Sequence, residues 1–465
     1  MTAASSMLPL IAYADMERPL AYRHGMVITA AQYLADVTFC AERLPASNYV
    51  LLACQDRYAF AVGFGAAMVR GQSCLLPSTH TEELIANLAS SYEALYCMTD
   101  DPACAFDLPQ TQMGDWLLVE RLKSENPPPI QTIPLIAADH VAAYVYTSGS
   151  TGLPVAHPKH WDKLVANVQS EGARLGIVPG SGYTIVGTVP PQHMYGFEST
   201  VLVALQNGAA FEAGKPFYPA DIERAIAGVP RPRALVTTPF HLRAWLTEVA
   251  APSALDLLVS ATAPLVIALA EEAERKTGAR LLEIYGSTET GQLATRRTTE
   301  TSDWTTFDGI VIHQTQAMSV STSISPSIAS GTQVEGHVHI NDVLELKSER
   351  VFILHGRTAD MVNVAGKSTT LDYLNHQLLS IEGVEDGAFF VQSASTEGTG
   401  NTTRLAAVVV APMHTVETLQ TELRRKIAPA FLPRPLKLVA SLPRNGTSKL
   451  PREALLALIR VPADD

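Results

Sequence analysis

Thr147, Ser148, Gly149, Ser150, Thr151 and Gly152 form a run of hydroxyls and glycines at the end of a short apolar segment, Val141 to Tyr146. Glycine lets the backbone approach an anion closely, successive N–H groups can converge on one oxygen, and the hydroxyls add donors. Each bond to a charged oxygen contributes about 1.5–3 kcal/mol, so several together suit a triphosphate. An ordinary solvated turn between strand and helix has the same composition, and these residues alone leave both readings open. The Walker spacing G-x-x-x-x-G-K-[ST] is not met here. Gly366-Lys367-Ser368 has only its second half, with Met361 where the first glycine belongs. Gly-x-Ser-x-Gly also fails, because Ser148 stands two before Ser150, and this weakens a serine-hydrolase reading.

A second stretch, Leu281-Leu282-Glu283-Ile284-Tyr285-Gly286-Ser287-Thr288-Glu289, carries an aromatic ring, a glycine, two hydroxyls and a carboxylate to the end of one apolar segment. That set fits an adenosine face, an α-phosphate and Mg²⁺, although Ser-Thr-Glu in isolation is also a helix-capping signal. A third is His193, in the turn Pro190-Pro191-Gln192-His193-Met194-Tyr195-Gly196-Phe197 after the apolar run Tyr183–Val189. Open α/β sheets bind ligands at such strand ends, yet a lone histidine there is more often structural. His337 and His339 alternate along a strand-like run with no third ligand in reach and are read as an exposed strand face.

The elements needed to position these groups alternate. Tyr49–Cys54, Ser73–Pro77 and Ala94–Thr99 read as strands, with helices through Phe60–Val69 and over Glu82–Leu95. Asp101–Pro134, with Pro127-Pro128-Pro129, reads as an irregular connection. Trp161–Leu175 is helical, and the units Val201–Gly208, Ala234–Pro239, Phe240–Ala250 and Leu257–Ala261 continue the pattern. Strand and helix in turn imply a parallel sheet covered by helices, an α/β protein. Trp304–Gly336, rich in Ser and Thr, reads as short strands and turns, and Leu371–Leu379, Ile381–Val391, Arg404–Val410, Val416–Ile427 and Pro435–Val439 as a small α+β unit.

At 465 residues and 47% apolar content the chain has room for two or more cores. Its net charge of −12 argues against nucleic acid or an anionic membrane as main partner. Cys40, Cys54, Cys74, Cys97 and Cys104 are irregularly spaced, which suggests neither a zinc site nor a disulfide framework and favours reduced, buried thiols. The absence of a basic leader before Met7–Ala14 and of any run of about 18 apolar residues points to the cytoplasm, with no membrane span.

Together these strings resemble the adenylate-forming superfamily of acyl- and aryl-CoA synthetases, peptide-synthetase adenylation domains and luciferases. TSGSTGLP is similar to its phosphate loop, Tyr285-Gly286-Ser287-Thr288-Glu289 to its Tyr-Gly-x-Thr-Glu string, and Pro190/Pro191-His193-Gly196 to its acid-pocket motif. The resemblance implies that Thr147 through Gly152 hold ATP phosphates, Tyr285 stacks on adenine with Gly286 and Ser287 beside it, Thr288 bonds the α-phosphate and Glu289 holds Mg²⁺. It gives Ala261, Thr262 and Ala263 to the adenine and acyl walls, and His193, Gly196, Phe197 and Phe240 to the carboxylic acid. Asp342 falls where the family has a carboxylate on the ribose, and Arg357 in its hinge motif. Gly366-Lys367 would approach a CoA or phosphopantetheine thiol, and Lys449, within Pro443-Arg444-Asn445-Gly446-Thr447-Ser448-Lys449, would be the mobile catalytic lysine. The implied fold is a large N-terminal domain (1–356) of helix-flanked sheets with a distorted β-barrel, and a small mobile C-terminal lid (357–465).

Several positions depart from the pattern. Val155 replaces the lysine expected after Pro154, Ala359 the usual hinge residue, and Ser448 a glycine. The displaced Lys159, with His157 and Trp161 near it, resembles a bacterial subgroup of aryl-polyene or xanthomonadin-type pathways that activates aromatic acids, and Lys159 or His157 would then contact phosphate. The expected reaction is ATP-dependent formation of acyl-AMP and pyrophosphate, then transfer to a thiol, with a separate acyl carrier protein or CoA as acceptor. A non-catalytic nucleotide- or acyl-binding relative and a ligase with a non-thiol acceptor are the competing readings.

Overall fold

The apolar runs at Tyr49, Ser73 and Tyr96 are too short for helices and are buried on both faces, so they pair as parallel strands beneath covering helices. A computed structural model describes residues 6–77, 79–113, 132–147, 155–314, 326–357, 361–364, 367–392, 404–444 and 450–460. One six-stranded sheet runs Val155–His160, Val141–Thr147, Ser73–Leu76, Tyr49–Leu52, Tyr96–Thr99, Gln110–Gln112. All its pairs are parallel except the edge strand Val155–His160, where Pro158 is tolerated because an edge position needs fewer ladder bonds.

An eleven-stranded sheet has the parallel centre Arg280–Ser287, Leu257–Ser260, Arg233–Thr237, Thr184–Gly187, Ala210–Glu212, Pro19–Arg23. Gly291–Arg296, Trp304–Thr306, Val351–Arg357 and Asp342–Leu346 extend it antiparallel at one end and Met26–Thr29 at the other. The main core contains residues of both sheets, such as Leu52, Leu76, Ile185 and Val236, together with the helices Arg57–Val69 and Trp161–Leu175. The Arg57–Val69 helix is buried on every side from Arg57 to Met68, as a helix enclosed by protein must be.

The antiparallel end and a three-stranded sheet, Ile310–Gln314, Ser327–Gly331 and His337–Ile340, enclose a separate core around Trp304, Phe307 and Phe352. His337 and His339 are exposed on that last strand. After Arg357 the apolar side chains again form clusters of their own, around Leu374, Phe389 and Leu423 and around Phe390 and Val408. There Asp386–Gln392 pairs antiparallel with Arg404–Val410, which pairs parallel with Leu436–Leu438, beside helices Leu371–Leu379, Val416–Lys426 and Arg452–Arg460.

Some boundaries need correction. The helix from Glu82 stops at Ser91 rather than Leu95, because Tyr92 turns extended and Ala94 takes a positive φ of 54°. Gln110–Gln112 is a strand inside the stretch read as irregular, and it completes the sheet edge beside Tyr96–Thr99. Cys104 is partly exposed while the other four cysteines are buried.

Candidate active site

The parallel strands Thr184–Gly187, Arg233–Thr237, Leu257–Ser260 and Arg280–Ser287 share a direction, so the residues just after them gather at one edge of the sheet. His193, Phe240, Thr262 and Glu289 all come from these turns. Ser148, Gly149, Ser150, Thr151 and Gly152 lie outside the described residues. Their flanks are clear: Thr147 faces Val155 in an antiparallel pair, and Thr147 Oγ1 lies 2.9 Å from His157 Nε2. The hydroxyl-glycine loop therefore joins two strands rather than a strand and a helix, and the helix begins only at Trp161.

Tyr285 is held between Trp304 and Phe352, with ring centres 5.7 and 5.5 Å away, and 9% of it is exposed. Its hydroxyl donates to Asp342 Oδ2 at 2.5 Å, which joins the two residues expected at adenine and ribose. Gly286 has no alternative, since a Cβ there would lie 2.3 Å from the Gly291 carbonyl oxygen. Beyond it Ser287 and Thr290 lock the turn, with Ser287 N donating to Thr290 Oγ1 (3.0 Å) and Thr290 N to Ser287 Oγ (3.2 Å). Glu289 is half-buried. Burial pushes its carboxyl up, but the Ser287 hydroxyl, a backbone N–H and the nearby His157 and Lys159 outweigh this and hold it below the usual range. An ionised carboxylate at the end of a rigid turn suits a hard divalent cation.

The His193 turn is braced from beneath by Arg57, which the sequence reading did not single out. Arg57 is fully buried and donates to the carbonyls of Gly187 (3.0 Å), Val189 (2.9 Å), Glu212 (3.2 Å) and Gly214, and to Thr200 Oγ1 (3.0 Å). Burial lowers its pKa to about 10, against the pull of Glu212 and Asp56. Tyr195 is buried, its hydroxyl donating to the Thr237 and Val259 carbonyls, so the turn is tied to two neighbouring strand ends. At Gly196 a Cβ would stand 2.1 Å from Pro190 O, so the motif's glycine serves backbone approach.

Phe197 is fully buried and packs edge-on against Phe60 and Phe64 at 5.9 and 5.1 Å, so it belongs to the core and does not face a ligand. Trp161 is likewise core, against Phe64. Phe240 is 38% exposed, beside His241. His241 is buried, its Nδ1 2.9 Å from Thr238 Oγ1, and burial drives its pKa down to about 4. Ala261 is buried, whereas Thr262 and Ala263 are exposed. Thr262 has φ +78°, a conformation a β-branched residue holds at a cost of about 1–3 kcal/mol and one that clusters at functional sites.

Lys159 is not where a phosphate contact requires it. It is 3% exposed, and its Nζ donates to the Glu289 carbonyl at 2.9 Å. Burial lowers its pKa, against the carboxylates of Glu198, Glu335 and Glu289. His157, on the same strand face, is the residue left beside Thr147.

Residues 12–336 match the family model described as AMP-binding enzyme. The chain belongs to this adenylate-forming family. It is 30% identical to a 4-coumarate–CoA ligase of Rhodobacter capsulatus over 284 residues, 60% of this chain and 69% of that protein. The fold matches an anthranilate CoA ligase in complex with anthranoyl-AMP (TM-score 0.78, 15% identity, 97% and 99% of the two chains). It also matches the o-succinylbenzoate CoA synthetase of Bacillus subtilis with ATP and magnesium (TM-score 0.76, 18% identity, 94% and 96%). The protein is thus an AMP-forming acid–thiol ligase that adenylates a carboxylic acid and forms a thioester, with its C-terminal domain present.

In this ligase Arg357 ends the strand Val351–Arg357 and pairs in register with Asp342. Lys367 opens the strand Lys367–Thr370 opposite Val364, while Gly366 and Lys449 lie outside the described residues. Contacts join the parts before and after Arg357. Arg243 donates to the Val384 carbonyl (3.2 Å), and Arg444, bonded twice to Asp386 at 2.8 and 2.6 Å, places its guanidinium 5.8 Å from the Phe240 ring centre. No helix among the described residues is long and apolar enough to cross a membrane.

Proposed function

We propose that this ligase activates an aromatic carboxylic acid and passes it to the thiol of CoA or of a separate carrier protein's phosphopantetheine. The observation that carries the reading is the meeting, at one sheet edge, of the half-buried His193 with Phe240, the exposed Thr262–Ala263 backbone and the ionised Glu289. A flat acid lies against Phe240 and the small-residue segment, with its carboxylate toward His193. Thr147 through Gly152 take the ATP phosphates, Tyr285 with Gly286 and Ser287 the adenine side, Thr288 the α-phosphate, and Asp342 with Arg357 the ribose. Glu289 would hold Mg²⁺, which when bound would neutralise charge on the departing pyrophosphate.

The chain's own groups then act by positioning and charge. Lys449 bridges the acid carboxylate and the α-phosphate oxygens, and the residues after 356 pivot as a lid near Arg357. Gly366 and Lys367 then face the thiol. The likeness to 4-coumarate– and anthranilate–CoA ligases supports an aromatic acid, and the displaced lysine and His157 support the aryl-polyene-type subgroup, acting in the cytoplasm. ATP–pyrophosphate exchange over pooled aromatic and aliphatic acids, with adenylates read by mass, tests this. Exchange restricted to aliphatic acids, or none at all, refutes it. Parallel incubations with CoA and with a phosphopantetheinylated carrier then show which acceptor drives AMP release.

A further inference from the structure

Lys159 joins the strand leaving the hydroxyl-glycine loop to the metal-side turn, and it does so inside the protein. Its ammonium reaches the carbonyl of Glu289 across 130 residues of sequence. Two carboxylates lie around it besides that of Glu289. Glu335 is fixed by His160, whose backbone N and Nδ1 lie 2.9 and 2.8 Å from its oxygens. Glu198, fully buried, belongs to the helical turn after His193, and its Oε1 lies 3.1 Å from where a Cβ of Gly291 would be. The strand after Glu289 is held at the same place. Asn167 Nδ2 donates to the Gln292 carbonyl (2.8 Å), and Gln292 Nε2 donates to Ser199 Oγ (2.7 Å).

The space between Lys159, Asn167, Met194, Glu198, Gly291 and Glu335 is about 10 Å³. That is room for about one water and none for a phosphate. A lysine so placed cannot replace the missing lysine at Val155 by touching ATP. What it can do is fix the backbone that carries a catalytic carboxylate. Its bond leaves the carboxylate of Glu289 free while removing freedom from the peptide unit beside it, and outer partners of this kind set the orientation of a metal ligand.

We propose that Lys159 is a positioning residue for metal binding: by holding the Glu289 carbonyl it fixes the Thr288–Glu289 turn against the strand Val155–His160. This rests on the assignment of Glu289 to the metal. Replacing Lys159 alone strands the buried Glu198 carboxylate beside Glu335, so the test pairs Lys159→Met with Glu198→Gln and compares the double variant with Glu198→Gln alone.

Three quantities are read: the MgATP dissociation constant by calorimetry, the Mg²⁺ concentration giving half-maximal pyrophosphate exchange, and KM for the acid. The double variant should unfold as cooperatively as Glu198→Gln, bind MgATP about 10–100-fold more weakly and need correspondingly more Mg²⁺, with KM for the acid unchanged. Unaltered Mg²⁺ demand in the folded double variant overturns the proposal. So does a loss in which KM for the acid rises in step. If exchange by the unmodified ligase does not depend on a divalent ion, the metal assignment of Glu289 fails instead, and that result is visible before any variant is made.

Discussion

A methyl group at Gly196 would be placed 2.1 Å from Pro190 O, 2.9 Å from Pro190 C and 3.1 Å from Val189 O. Carbon–oxygen contacts of this kind open to about 3.3 Å or more, so in Gly196→Ala the Pro190 carbonyl must retreat by roughly 1 Å. It cannot retreat alone. His193 N donates to Pro190 O at 3.1 Å, and Phe197 N to His193 O at 2.8 Å, so the whole turn moves and takes the His193 side chain with it. Forced overpacking costs about 1–3 kcal/mol, within reach of a folded protein of this size. A catalytic group displaced by about 1 Å costs on the order of 10² in rate. Urea unfolding followed by pyrophosphate exchange separates the two effects. Gly196→Ala should remain folded, lose about 100-fold in kcat/KM for the acid and bind MgATP as before, because the Glu289 turn is on another strand. Unchanged kcat/KM, or a parallel loss of MgATP affinity, would refute the reasoning.

Other outcomes follow from the same geometry. Arg57→Met leaves four backbone carbonyls and Thr200 without their donor, and at about 1–3 kcal/mol for each acceptor left buried the urea midpoint should fall steeply. Arg57→Lys should not rescue it, since an ammonium cannot span that fork of acceptors. His241, with a pKa near 4 when folded and 6.5 ordinarily, is protonated first in the unfolded chain, so its contribution to stability is lost as pH falls from 6.5 towards 4, by about 3 kcal/mol in all. His241→Gln should flatten that part of the stability–pH curve, measured by urea unfolding at pH 7, 5.5 and 4.5. Lys449→Ala should keep the fold and lose roughly 10²–10³ or more of adenylate formation, and normal exchange in that variant would remove its assigned role.

The alternation of strands and helices was legible because buried parallel strands must be short apolar runs and amphipathic helices must repeat. Trp161–Leu175 and Leu371–Leu379 have the ends expected of them. The Tyr285–Glu289 string was read from its likeness to a family string, with helix capping as the alternative for Ser-Thr-Glu; the strand Arg280–Ser287 instead ends in a turn locked by Ser287 and Thr290 and returns as the strand Gly291–Arg296. Arg57 was not legible. Nothing local marks an arginine in an apolar helix as the clamp for a turn 130 residues away, and only the fold brings its acceptors together. Phe197 was misread because an aromatic after a ligand-binding turn points either into a pocket or into the core, and the helical turn beginning at Phe197 sends it inward. Lys159 or His157 was placed at the phosphates by likeness to a subgroup with a displaced lysine, but the burial of Lys159 puts its ammonium at the Glu289 carbonyl instead.

These corrections share a physical pattern. The candidate groups at the sheet edge are few and ordinary, while beneath them lie many buried polar side chains: Arg57, Lys159, Asn167, Glu171, Glu198, Gln292. Burial pushes the carboxyls of Glu171 and Glu198 up, the latter to about 8, so this layer is electrostatically unfavourable compared with an apolar packing of equal volume. A core built for stability alone would not contain it. Reactions that proceed through a charged, tightly bound intermediate depend on dipoles and charges already aimed before the substrate arrives. Arg57 beneath the His193 turn and Lys159 beneath the Glu289 turn each provide that aim for their own turn, so the electrostatic cost of the layer and the fixed geometry of the two turns above it have the same source.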